Sequence, residues 1–263
     1  MLKMNQVGLT EEFITKNQIM KAFNELNISE EELLLVYGDL SQNSNVIGGA
    51  QTVIEGLYEV LEMNATIVMP AHSLKQNCPT FFDETLPKEI LSVVKENTPA
   101  FDKELTAISS GELATTFAMN NRVIRSNHPV ASFLALGQKA SWMMSNHQLD
   151  SMFGDYSPMQ KLYAQDAKVL CLDMDYEMIT AFHYIEYLVN RNEKISHEAM
   201  INENGERVHV QFEDLALNSS KFNEIGKQYE ESREILKIMV GSMEYKVLDF
   251  KDFIDFGVNY LSK

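Results

Sequence analysis

Thr180-Ala181-Phe182-His183-Tyr184-Ile185-Glu186 sets a histidine and a glutamate three residues apart. On a helix that spacing puts both side chains on one face. The carboxylate can then orient the ring and support its positive charge while the ring acts as a general base. Thr180 reads as an N-cap, which makes His183 the third helical residue. The positive end of the helix dipole favours an uncharged ring there. A lone helical histidine is also commonly structural. The position of this one, just after an apolar strand, keeps the catalytic reading level with that one, because ligands of α/β sheets bind outside the carboxyl ends of strands.

Three other segments carry residues suited to a site. Val46-Ile47-Gly48-Gly49-Ala50 precedes a helical pattern, and two glycines permit a tight turn and close backbone approach. The unpaired N–H groups of a helix start can hold a phosphate, although a Gly-Gly pair is more often only a turn. Arg125-Ser126-Asn127-His128-Pro129 either walls a polar pocket or satisfies loop carbonyls, with Pro129 holding His128 extended. Gly154-Asp155-Tyr156-Ser157-Pro158 reads best as a helix start, with Ser157 at the N-cap and Pro158 behind it.

These residues need elements to position them. ELLLVY (32–37), ATIVMP (65–70) and KVLCLD (168–173) are short and apolar without alternation, as strands covered on both faces are. Helical spacing runs over 15–27 from a Thr15 cap, over 50–62 and over 180–190. VHVQF (208–212) reads as a late strand, VLDFKDFIDFGVNYL as a final helix, and 71–126 as elaborated loops. Alternating strands and helices predict an α/β fold around a central sheet, in one domain over 1–263.

The 263 residues are 45% hydrophobic, enough for a sizeable core. A formal charge of −16 argues against a broad nucleic-acid surface and suits a cationic small substrate, as it suits mere solubility. The start of the chain shows no apolar signal region, and no apolar run approaches the roughly 20 residues of a membrane span. Cys78 and Cys171 lack metal-ligand spacing and make no disulfide framework. A cytoplasmic protein without metal or membrane partner is expected.

Taken in order, LLLVYGDLSQNSNVIGGAQTVIEGL, ATIVMPAHS, RSNHPVASFLALGQKA, FGDYSPMQKLY and TAFHYIEYL resemble the aminoglycoside 3-N-acetyltransferase family, the antibiotic N-acetyltransferases that are unrelated in fold to the GNAT enzymes. VGSMEYKVLDFKDFIDFGVNYL adds a weaker match at the end. The resemblance implies an α/β fold with a central mixed sheet flanked by helices. It implies acetyl-CoA as donor and an amine of an aminoglycoside or amino sugar as acceptor, and it extends to a homodimer. His183 and Glu186 fall on the family's base and orienter, and His128 on its RSxHP histidine. Gly48, Gly49 and Ala50 fall on the CoA-binding turn, with Ser41 and Ser73 in the adjoining matched segments.

The chain also departs from the family. Tyr37-Gly38-Asp39-Leu40 stands where the family has HSSL, and Gln42-Asn43-Ser44-Asn45 where it has S-x-G-W. Ile108-Ser109-Ser110-Gly111 replaces RGMG, and Thr115 and Ala118 replace a Glu and an Arg. The first expectation is an acetyl-CoA-dependent amine N-acetyltransferase. The alternatives are a catalytically degenerate ligand- or partner-binding relative, and a transferase of a longer acyl group.

Overall fold

The computed structural model describes residues 13–28, 33–40, 45–61, 65–74, 78–79, 86–190 and 193–263. Helix α1 (Lys16–Glu25) begins at Thr15 in a capping box: the Thr15 hydroxyl accepts from Gln18 N, and the Gln18 side chain reaches back to Thr15 N. It buries Ile19, Ala22 and Phe23. Then follow β1 (Leu33–Gly38), α2 (Gly49–Leu61) and β2 (Thr66–Pro70). Helices α3 (Lys88–Asn97) and α4 (Gly111–Ala118) lie within 71–126, so that stretch is not only loop. It was not legible because α3 buries no side chain and α4 spans only two turns.

Strands β3 (Ile124–Arg125) and β4 (Phe133–Leu136) precede α5 (Ala140–Met144) and α6 (Pro158–Ala164). Ser157 caps α6 by accepting from Met159 N, with Pro158 in the first helical position. Strand β5 (Lys168–Leu172) leads through two 3-10 turns into α7 (Tyr184–Val189). The chain continues with β6 (Lys194–Glu203), β7 (Glu206–Leu215), α8 (Phe222–Ser232), β8 (Leu236–Val240), β9 (Met243–Asp249) and α9 (Phe250–Leu261). The expected final helix is therefore a strand followed by a helix, with Asp249 as the cap between them.

Among the described residues the main sheet runs β3-β4-β2-β1-β5-β9-β8. Its centre is parallel, β2 and β5 flanking β1, and its outer pairs are antiparallel. This is the mixed sheet expected from the sequence. The three strands read from apolar runs are the three parallel ones, and β1 and β2 are buried through most or all of their length. VHVQF lies elsewhere, in a two-stranded hairpin of β6 and β7 turned by Asn204 and Gly205, both at positive φ.

The two faces of the sheet carry separate cores. Ile19, Phe23, Val53 and Leu57 pack on one face, while Phe133, Phe182, Phe222 and Phe253 pack on the other. The chain leaves β1 towards β2 on one side and later enters β5 on the other, so the carboxyl end of β1 is a topological switch point. In α/β sheets such a point is where ligands bind, and every histidine discussed below except His128 and His147 belongs to the loops that follow these three strands.

Candidate active site

Gly38, the last residue of β1, lies where a Cβ would approach Leu113 and Leu172 to 3.0 and 3.1 Å, so a larger residue would press on α4 and β5. Tyr37 precedes it, His72 follows β2, and the turn Thr180–His183 follows β5. Parallel pairing of three strands thus brings residues far apart in sequence to one rim.

His183 and Glu186 meet as their spacing requires. His183 Nδ1 lies 2.5 Å from Glu186 Oε2, and both side chains are nearly buried. Glu186 Oε1 accepts the Asn218 backbone N–H at 2.9 Å, so the carboxylate is held from both ends. An Nδ1–H donated to Glu186 leaves Nε2 with its lone pair, and Nε2 carries no hydrogen bond among the described residues. Phe153 and Phe222 flank the ring at 5.4 and 5.1 Å between centroids, which limits its rotation.

The local backbone differs from the sequence reading. Thr180 caps nothing: Thr180–His183 is a 3-10 turn, and His183 is the residue that precedes α7, not its third member. With six residues, α7 is too short to supply the dipole invoked for the ring. Tertiary contacts override the capping signal, because Thr180 Oγ1 is taken by Tyr37 Oη at 2.7 Å and His72 Nε2 at 2.8 Å.

His72 is the residue sequence reasoning passed over. It sits inside the ATIVMPAHS segment, where only Ser73 was singled out. Although the residue keeps some exposed surface, its Nδ1 is enclosed, with the Ser132 backbone as its neighbour. Phe133 and Phe153 meet its ring edge-on. Burial lowers its pKa to about 4, with the His183 and Arg125 charges pushing the same way and a hydrogen bond to the Ser132 backbone partly offsetting them. A family-independent signal was available only in the residue type: a histidine directly after a buried parallel strand.

The Arg125–Pro129 segment satisfies backbone groups. Arg125 is buried and spans Ser132 Oγ, the Thr106 carbonyl and the Ala71 carbonyl at 2.9, 2.6 and 2.8 Å. His128 Nδ1 accepts the N–H groups of Val130 and Ala131, and its Nε2 donates to the Leu149 carbonyl at 3.3 Å. His147 is similarly enclosed, between the Ser126 hydroxyl at 3.0 Å and the Met152 carbonyl at 2.9 Å. Its ring lies 4.6 Å from that of His128. Burial drives His128 far below the usual histidine range and His147 down to about 3. Of the two histidines put forward from sequence, only His183 has a free nitrogen, and the structure places His128 in a different cluster.

The expected cofactor residues also divide. Gly48 and Gly49 adopt positive φ at +86° and +60° and open α2 at the surface. A Cβ on Gly48 would meet Thr52 Oγ1 at 2.4 Å, so the turn needs glycine there. A carboxylate oxygen of Glu112 stands 3.4 Å from where a Cβ on Gly49 would lie, and the Gly49 N–H is donated to the Val46 carbonyl at 3.0 Å. Ala50 faces the core, and Ser73 is buried, donating to the Pro129 carbonyl at 2.8 Å. Ser41 lies outside the described residues.

Comparison with known proteins bears on the whole chain. The family model described as aminoglycoside 3-N-acetyltransferase matches residues 35–262. A Bacillus subtilis protein named SPbeta prophage-derived aminoglycoside N(3')-acetyltransferase-like protein YokD is 30% identical over 246 residues, 92% of this chain and 90% of that one. The aminoglycoside N(3)-acetyltransferase III of Pseudomonas aeruginosa is 28% identical over 255 residues, 94% of this chain and 93% of that one. The crystal structure of YokD superposes with a TM-score of 0.90, covering 96% of this chain and 94% of its own. Matched from β1 to α9 by that family model, this chain belongs to the aminoglycoside 3-N-acetyltransferase family, a family of transferases.

Proposed function

We propose that the protein transfers an acetyl group from acetyl-CoA to an amino group of an aminoglycoside or a related amino sugar. The observation that carries this reading is the His183–Glu186 pair, with Glu186 pinned by Asn218 N and Nε2 of the ring left open. Relatives matched along nearly the full chain are named aminoglycoside N(3)-acetyltransferases, which supports an acetyl group as cargo and an aminoglycoside as acceptor.

In this reading His183 Nε2 takes the proton that the acceptor nitrogen must lose, and Glu186 steadies the imidazolium that results. The same nitrogen then returns the proton to the departing CoA sulfur. The acidic surface, net −16, draws a polycationic acceptor to the crevice. The start of α2 behind the glycine turn attracts the phosphates of CoA, although the Gly49 N–H is already donated to the Val46 carbonyl at 3.0 Å and Glu112 tempers that attraction. His128 supports the site by holding the loop behind it, with no nitrogen left to touch substrate.

Calorimetry with acetyl-CoA and with CoA tests the donor, and thiol release with gentamicin as acceptor tests the transfer. Micromolar to millimolar binding of acetyl-CoA, with acceptor-dependent thiol release, is the expected outcome. The absence of heat with either nucleotide at millimolar concentration would remove the transferase reading and leave a ligand-binding relative, the direction in which the carboxylate of Glu112 beside Gly49 points.

A further inference from the structure

A general base works only where it is held, because a misplacement of about 1 Å costs roughly 10²-fold in rate. His183 ends a four-residue 3-10 turn, a short element with poor internal hydrogen-bond geometry. Glu186 and Asn218 steady its ring from one side. Phe182, stacked on Phe253 at 3.9 Å between centroids, seats the turn in the core. The first half of the turn needs a holder of its own.

Tyr37 supplies it. The phenol projects from β1, 3% exposed, and bonds two adjacent residues of the turn. Its oxygen accepts the buried Ala181 N–H at 3.0 Å, and Thr180 Oγ1 lies 2.7 Å away. Burial pushes the phenol well above its ordinary pKa, so it keeps its hydrogen. His72 Nδ1 is enclosed beside the Ser132 backbone, whose carbonyl takes the ring hydrogen there. Nε2 is left to accept from the Thr180 hydroxyl at 2.8 Å, and the Thr180 oxygen accepts from Tyr37. The hydrogens run one way, from Ala181 N–H through Tyr37, Thr180 and His72 to the Ser132 carbonyl. Both ends are backbone groups and every donor between them has its acceptor, so each bond strengthens the next. The chain ties the β5 turn to β1 and to the loop after β2.

The two segments that depart from the family pattern meet at this contact. Tyr37 opens one of them, and Ser109 and Ser110 lie in the other. Ser110 Oγ accepts the His72 N–H at 2.9 Å. Ser109 donates to the His72 carbonyl twice, from its backbone N at 2.8 Å and its hydroxyl at 2.7 Å. Taken singly, these departures read as losses. Together they hold His72, which holds Thr180, which Tyr37 holds from the other side.

We propose that Tyr37 is a positioning residue for the base, fixing the turn that carries His183 through Ala181 and Thr180, with His72 completing the hydrogen-bond chain. The inference rests on the acetyl-transfer reading above. It gives Tyr37 no contact with substrate. Its effect reaches the reaction only through where His183 Nε2 stands.

The test compares Tyr37→Phe, Thr180→Val and the double variant with the wild type. Melting temperature shows which are folded, calorimetry gives the acetyl-CoA Kd, and thiol release with gentamicin gives kcat. Amide hydrogen exchange followed by NMR gives the protection of Ala181 and needs neither donor nor acceptor. Tyr37→Phe keeps the ring and removes the hydroxyl. It lowers kcat by about 10–10²-fold with acetyl-CoA Kd nearly unchanged. It also speeds Ala181 exchange by about tenfold or more, while the amides of β1 and β5 keep their protection. Thr180→Val breaks the chain one bond further on, from a less buried position, and lowers kcat by a smaller factor. It decides the matter if Tyr37→Phe does not fold. The double variant is about as impaired as Tyr37→Phe alone, because one chain cannot be broken twice. Near-normal kcat in folded Tyr37→Phe, or in Thr180→Val where that is the variant that folds, overturns the proposal, whatever the melting temperature does. So does lost kcat with Ala181 still protected, or with weakened acetyl-CoA binding, since the phenol then acts on the ligand and not on the turn. Single effects that multiply in the double variant overturn it as well. Each of these results leaves the transferase reading standing. A wild type that binds no acetyl-CoA overturns that reading itself, and this role with it.

Discussion

His128 and His183 are both buried, both sit in polar segments, and both were candidates for the same role. They differ in what is left over once hydrogen bonds are counted. His128 spends Nδ1 on two backbone N–H groups and Nε2 on a carbonyl. His183 spends only Nδ1, on a carboxylate that is itself fixed. The same contrast extends to the neighbours of His128: Arg125 and His147 bind carbonyls and hydroxyls in a closed network. A buried polar residue with every atom committed is scaffold. One with an atom to spare, held rigidly by its other contacts, is equipped for chemistry.

The largest expected effect comes from breaking the open site. His183→Ala should lower kcat for acetyl transfer by about 10²–10⁴-fold, the range for losing a positioned general base, while the melting temperature moves little. Steady-state thiol release and calorimetric unfolding together check both halves. A folded variant with near-normal turnover would place the base elsewhere.

Glu186→Gln should be almost as harmful, by roughly 10²–10³-fold, because of Asn218. The Asn218 N–H needs an acceptor, so the amide oxygen of glutamine must face it. The amide NH2 is then presented to His183 Nδ1, which has to accept, and the ring hydrogen moves to Nε2, where the lone pair was needed. Glu186→Ala leaves the tautomer free and should cost less than Glu186→Gln. If Glu186→Ala is the worse of the two, holding the ring in place matters more than its tautomer.

Breaking the closed network should do the reverse. His128→Ala strands the N–H groups of Val130 and Ala131 in a fully buried position, each costing about 1–3 kcal/mol. Unfolding in urea should show a loss of several kcal/mol, with kcat of the protein that remains folded close to normal. A stable His128→Ala protein with lost turnover would move His128 from the scaffold to the chemistry.

The sequence made the centre of the fold legible and its edges much less so. ELLLVY, ATIVMP and KVLCLD announce β1, β2 and β5 because strands covered on both faces are apolar throughout. Strand β3 has two residues and β8 is mostly exposed, so neither produces a pattern. The β6–β7 hairpin is half-exposed along much of its length; VHVQF announced part of β7, while β6 and the Asn204-Gly205 turn were passed over. At the site, His183 and Glu186 were legible because their contact is local, three residues apart. His72 meets Thr180 across 108 residues of sequence, through the adjacency of β2, β1 and β5. No local spacing encodes such a contact. Thr180 misled for a related reason: its type and place read as a cap, and its hydroxyl was already taken by Tyr37 and His72.

The smallest effect is a slope, and it sharpens the picture of the closed network. His147 is held down to about 3 by burial, which its hydrogen bond to the Met152 carbonyl only partly offsets. Unfolded, the same ring takes up a proton near 6.5. Below that pH the unfolded chain therefore binds a proton that the folded chain refuses, and folding stability falls as pH falls. The contribution of His147 is complete above about pH 6.5 and should drop by about 1.4 kcal/mol for each pH unit between roughly 6 and 4. His128 adds a slope of the same sign. Carboxylates contribute mostly at lower pH and are common to any variant, so a difference isolates one ring. His147→Gln supplies it: the amide oxygen can accept from Ser126 and the amide N–H can donate to the Met152 carbonyl, with nothing left to titrate. Urea unfolding at pH 6, 5 and 4 should give curves that converge towards acid, the wild type losing about 1.4 kcal/mol more per unit than His147→Gln. Parallel curves would mean that His147 is protonated in the folded protein, and that its network is open to water after all.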